Sequence, residues 1–96
     1  MRIVLGTEEL AAIGGTQTYL VTVAEQLARL GHEVLLSAHV RGEAAQIAER
    51  RGVRVLAPED LPDRCDAVLA QDAPSGYELA GRYPAAAAST WRTPPR

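Results

Sequence analysis

Two adjacent glycines, Gly14 and Gly15, stand directly before Thr16 and a run of helical periodicity. Glycine lets an anion come close to the backbone, and the first turn of a helix offers unpaired N–H groups at the positive end of its dipole. A phosphate or diphosphate would fit there; the same two glycines would equally serve to make the turn into the helix. Two more side chains fall where a parallel sheet presents ligands. His39 comes just beyond the apolar run Val34-Leu35-Leu36, where an imidazole could hydrogen-bond a substrate or simply be solvated. Asp72 follows Asp66-Ala67-Val68-Leu69-Ala70, where its carboxylate could meet a ligand hydroxyl or open the loop before Pro74-Ser75. The candidate ligand-binding residues are therefore Gly14, Gly15, Thr16, His39 and Asp72, with no catalytic residue and no metal ligand among them.

Other chemistry is excluded by spacing. A phosphate-binding Gly-Lys-Ser/Thr loop needs a lysine, and the sequence has none. A dinucleotide fingerprint needs G-x-G-x-x-G right after the first strand and an acid at the end of the second, but Ser37-Ala38-His39 stands at that place. The single Cys65 cannot form an internal disulfide, and no Cys/His cluster has zinc-ligand spacing. With no histidine partner in sequence, Cys65 reads as an inert thiol. Glu8 and Glu9 read as solvated charges, His32 as a structural residue at a helix-to-strand junction, and Trp91 as an exposed residue of the tail.

These residues need elements to hold them. Ile3-Val4-Leu5 is short, apolar and β-branched, which suits a strand buried on both faces and ending at Gly6. A polar loop from Thr7 to Ile13 then leads to a helix whose apolar face is Leu20, Val23, Ala24, Leu27, Ala28 and Leu30. Thr16 or Thr18 can cap it, Glu25 and Arg29 form an i,i+4 pair, and Gly31 ends it in the left-handed conformation. Val34-Leu35-Leu36 repeats the buried strand, and Glu43 to Gly52 reads as a second helix stopped by glycine. Val53, Val55 and Leu56 form a third strand, and Asp66 to Ala70 a fourth. Ser75 to Tyr83 is expected to be a third helix, with Ser75 as its cap and Tyr77, Leu79 and Ala80 facing inwards.

Strands alternating with helices at this spacing predict an α/β domain, a partial Rossmann-like fold with a parallel sheet of about four strands and flanking helices. Residues 1–84 are assigned to that domain. Residues 85–96, four alanines and then Ser-Thr-Trp-Arg-Thr-Pro-Pro-Arg, lack periodicity and are expected to form a poorly ordered tail. In such a sheet ligands bind at the carboxyl ends of the strands, which is where the candidates lie.

Length and charge narrow the function further. Ninety-six residues make one small domain that buries about 60–65% of its unfolded surface, and 47% hydrophobic with 23% charged residues is a globular composition. Ten basic residues against twelve acidic ones give a net charge of −2 without a basic stripe, so nucleic acid is a poor partner. The apolar run near Met1 is too short for a signal peptide or a membrane span, membrane association is not indicated, and a cytoplasmic location is expected.

Ile3-Val4-Leu5, then Gly14-Gly15-Thr16-Gln17-Thr18-Tyr19, then Leu27-Ala28-Arg29-Leu30-Gly31-His32-Glu33-Val34, taken in that order, resembles the opening of a GT-B glycosyltransferase of the retaining family 4 group. The resemblance covers residues 1–84. It implies transfer of a hexose from a nucleotide sugar, such as a UDP- or GDP-linked hexose, to an acceptor, with Gly14 and Gly15 near the donor's diphosphate or the transferred sugar. It also implies that loops of this domain shape the acceptor site and that no metal is needed. That family's nucleotide-binding C-terminal domain, with its Arg/Lys pair and Glu-x7-Glu element, has no counterpart in these residues. Nor does its fifth strand with a following histidine loop. The resemblance therefore reads as a truncated N-terminal part, a fragment or a frameshift product, inactive alone. Two alternatives stand beside it: a small non-catalytic module binding a phosphorylated ligand, and an interaction protein pairing through an unfinished sheet edge.

Overall fold

The computed structural model describes residues 1–10 and 15–90. Its elements follow one another as β1 (Arg2–Leu10), α1 (Gly15–Arg29), β2 (Glu33–Arg41), α2 (Glu43–Arg50), β3 (Arg54–Leu56), a 3-10 turn (Pro58–Asp60), β4 (Ala67–Ala70), α3 (Ala73–Arg82) and β5 (Ala87–Thr90). The strands form one parallel sheet in the order β3-β2-β1-β4-β5. This is the α/β, Rossmann-like arrangement expected, with one strand more.

Both faces of the sheet are covered where its two central strands are apolar, at Ile3-Val4-Leu5 and Val34-Leu35-Leu36. On one face Ile3, Leu5, Val34 and Leu36 pack against Leu20, Val21 and Ala24 of α1 and Ala44, Ala45 and Ala48 of α2. On the other, Val4, Leu35 and Val68 meet Leu79 and Tyr83 at the α3 side, with Leu61 of the loop before β4. Val4, Leu5 and Leu36 are fully buried, and each such aliphatic side chain contributes about 1.5–3 kcal/mol. The first two helices end as their glycines require. Gly31 and Gly52 hold φ values of 96° and 84°. Their N–H groups bond to Ala28 and Glu49, and those of His32 and Val53 reach back to Leu27 and Ala48, so each helix closes in a Schellman motif. Glu25 pairs with Arg29 as the spacing predicts, at 3.3 Å.

The structure departs from the sequence reading at several element ends. α1 starts at Gly15, so Thr16 and Thr18 lie within it and not before it, and its inner face takes Val21 while Ala28 and Leu30 are exposed. Three further departures bear on β1, α3 and the C-terminal edge of the sheet. First, β1 does not stop at Gly6. It runs to Leu10 beside β2, with Leu10 paired to Arg41, whereas β4 accompanies it only from Ile3 to Gly6. The polar letters of Thr7 to Leu10 hide real burial: Thr7 is 5% exposed and Leu10 fully buried. Secondly, α3 begins two residues earlier than expected, with Asp72 and not Ser75 as its cap. This rotates the inner face to Ser75 and Leu79, leaving Tyr77 81% exposed and Ala80 outside. Thirdly, Ala87–Thr90 forms β5 on the edge beside β4, where a poorly ordered tail was expected. Its signal is weak because an edge strand needs backbone pairing more than side-chain alternation; Ala87 N–H starts the ladder on the Asp66 carbonyl. Residues 91–96, Trp91 included, lie outside the described residues.

One close contact fixes how α3 lies on the sheet. A Cβ placed on Gly6 would stand 2.5 Å from Leu79 Cδ1 and 3.5 Å from Ser75 Cβ. A side chain at this strand position would have to push the end of the Leu79 side chain aside.

Candidate functional site

The helices that follow β1 and β4, neighbours in the sheet, cover opposite faces. Their connections therefore part at the carboxyl ends of these two strands, and a crevice at such a divergence is where parallel α/β sheets bind ligands. Gly15 is the first residue of α1, on one side of this divergence. Gly14 lies outside the described residues, as does the Thr16 side chain, so the anion-binding reading of that loop rests on Gly15 and the helix it opens.

Asp72 sits on the other side, and its carboxylate is fully engaged by the protein. Oδ1 accepts the Ser75 N–H at 2.8 Å, capping α3. Oδ2 accepts the Glu8 N–H at 2.9 Å and the Thr7 hydroxyl at 3.3 Å. Burial pushes this carboxyl up, but the Ser75 side chain and N–H, the Glu8 N–H and the Thr7 hydroxyl together hold it below the usual aspartate range. Where the sequence has Asp72 meeting a ligand or opening a loop, the structure has it opening α3 and tying that helix to β1. The Gln71 N–H completes the tie by donating to the Gly6 carbonyl at 2.9 Å. Gln71 Oε1, by contrast, is buried without a hydrogen-bond partner among the described residues.

His39 is not in a loop after β2 but within it. β3 runs alongside β2 only as far as Ser37, paired with Leu56, so at His39 the strand is flanked by β1 alone. Its Nε2 lies 2.8 Å from Glu78 Oε2 on α3, with both side chains about half exposed. The structure therefore brings His39 and Asp72 to the same side of the sheet, one bonded to α3 and the other starting it. Glu78 was not singled out in the sequence. The two partners are thirty-nine residues apart, and only the extension of β2 past Leu36 brings the imidazole alongside α3. Glu8, on β1 between the pairs Thr7↔Ala38 and Glu9↔Val40, occupies the register position beside His39 and is exposed.

A cleft of about 560 Å³ opens at the opposite, amino end of the sheet, lined among others by Arg2, Glu33, Cys65, Asp66, Arg82 and Tyr83. Its charges are largely consumed internally. Arg2 bonds Glu33 at 2.8 Å and the Arg64 carbonyl at 3.0 Å, while its N–H donates to Asp66 at 2.7 Å. The Arg2 guanidinium accordingly holds the Glu33 carboxyl below its ordinary range. Arg82 donates to the Leu61 carbonyl and lies over the Tyr83 ring, whose hydroxyl donates to Pro62. Burial and the neighbouring Asp66 push the Cys65 thiol up, away from the reactive thiolate. His32 is at this end too, with Nδ1 3.3 Å from the amino terminus. Much of this cleft's lining is thus held in polar bonds within the protein.

Among the described residues no group of His, Cys, Asp and Glu could hold a metal ion, and no helix is long and apolar enough to cross a membrane. Compared with protein-family models, with curated proteins and with solved structures, the chain gives no match.

Proposed function

We propose that the chain is the acceptor-side, Rossmann-like part of a retaining GT-B glycosyltransferase of the family 4 type. The observation that carries this reading is the placement of Gly15. It opens α1 in the connection that follows β1, the central strand, beside the divergence toward α3, where the family resemblance sets the donor's diphosphate and the transferred hexose. The α3 side of the divergence, with His39, Glu78 and Glu8, then faces the acceptor. A second domain, carrying the Arg/Lys pair and the Glu-x7-Glu element of that family, holds the nucleotide, so these residues alone bind sugar without transferring it. A cytoplasmic location belongs to the same reading.

Amide chemical shifts locate the site. Methyl α-D-mannopyranoside and methyl α-D-glucopyranoside, titrated into the full chain, are expected to move resonances at Gly15, at Glu8 and around His39. Shifts confined to the amino-end cleft around Arg2 and Arg82, or no shifts with either hexoside, would overturn the reading.

A further inference from the structure

We infer that Glu78 fixes the tautomer of His39 so that the free Nδ1 of the ring accepts a hydroxyl of the bound sugar. This rests on the reading of the carboxyl end as the sugar site and specifies what one side of that site recognises. A carboxylate has no proton to give, so in the 2.8 Å contact between His39 Nε2 and Glu78 Oε2 the imidazole is the donor. When the ring is neutral, its remaining lone pair is on Nδ1, which has no partner among the described residues. A histidine whose second nitrogen is set by a carboxylate is a common way of presenting one nitrogen in a defined state. Here the ring is held between two elements, since His39 belongs to β2 and Glu78 to α3.

The charges nearby select the ligand class. Glu8 stands beside His39 in register, Glu78 is its partner, and Asp72 is the cap of the helix that carries Glu78. Three carboxylates repel a phosphate, and those of Glu8 and Glu78 can accept from hydroxyls. This side of the divergence therefore takes a neutral, hydroxyl-rich molecule. A sugar hydroxyl donating to His39 Nδ1 is oriented by a ring that is already fixed, so little ordering remains to be done on binding.

The test uses the two histidines of the chain as probe and control. Long-range ¹H–¹⁵N correlation spectra of the full chain in mildly alkaline buffer are expected to show His39 as the Nε2–H tautomer. Adding methyl α-D-mannopyranoside is expected to shift His39 Nδ1 and to leave both His32 nitrogens in place. In Glu78→Gln the tautomers mix and the apparent affinity for the hexoside falls about three- to tenfold, the loss of one hydrogen-bond contribution. Mixed tautomers at His39 in the unaltered chain would overturn the inference. So would a hexoside that moves Gly15 and Glu8 amides but not His39 Nδ1, a result that leaves the sugar-site reading standing. A hexoside that moves no resonance overturns both.

Discussion

The Oδ2 atom of Asp72 accepts the backbone N–H of Glu8 at 2.9 Å, while Oδ1 of the same carboxylate caps α3 through Ser75. One side chain therefore fixes the start of a helix and the extension of the central strand past the point where β4 ends. Because Glu78 rides on that helix and Glu8 on that strand, the geometry around His39 depends on Asp72.

Asp72→Ala is expected to cost about 1–2 kcal/mol, the range for losing a helix cap, read as a lower urea midpoint at unchanged slope. Asp72→Asn, which keeps an accepting oxygen, should recover part of the loss.

The same carboxylate makes stability pH-dependent. Its folded pKa lies below the unfolded aspartate value, so the unfolded chain binds more protons in the acid range. The contribution is fully present above the unfolded value and is lost as pH falls through the folded one. Urea unfolding across this acid range should show stability falling with pH in the unaltered chain and a flatter profile in Asp72→Asn.

Gly6 and Leu79 are expected to be coupled. Gly6→Ala puts a methyl 2.5 Å from Leu79 Cδ1, and overpacking of this kind costs about 1–3 kcal/mol. Leu79→Ala alone costs about 2–5 kcal/mol as a buried truncation. In the double variant the Gly6→Ala penalty should shrink, because the atom it meets is gone; additive losses would place the strain elsewhere.

Gly31→Ala and Gly52→Ala each force a Cβ into the left-handed region and should each lose about 1–2 kcal/mol in thermal or urea unfolding. No atom lies within 4 Å of either Cβ position, so the loss reports backbone conformation and not crowding.

His39→Ala separates binding from folding. An exposed pair of this kind contributes only about 0–1 kcal/mol to stability, so the variant should unfold close to the parent. Its affinity for the hexoside should nevertheless drop, which an isothermal titration would register.

Much of this was legible in the residues themselves. The apolar runs at Ile3 and Val34 and the glycines at 31 and 52 announced strands and helix ends because burial on two faces and left-handed φ leave local marks. What escaped was non-local. Thr7 and Glu8 read as loop because their partner, Asp72, is more than sixty residues away. Ser75 reads as the cap because both it and Asp72 are good capping residues, and the tie from Asp72 to β1 lies outside the local sequence. The alanines of β5 carry no alternation to read. The residues put Gly15, His39 and Asp72 at the carboxyl end of the sheet, but His39 lies within β2 and not beyond it, and its partner Glu78 had no signal in spacing.

The most direct measurement of the central claim is release of nucleoside diphosphate from UDP-glucose and GDP-mannose, with a hexoside acceptor, in mixtures containing the chain, a separately expressed GT-B donor-binding domain, or both. Release is expected only when both are present, and to fall when the chain carries Gly15→Val. Release by the chain alone, or release with both partners that Gly15→Val leaves unchanged, would contradict the account.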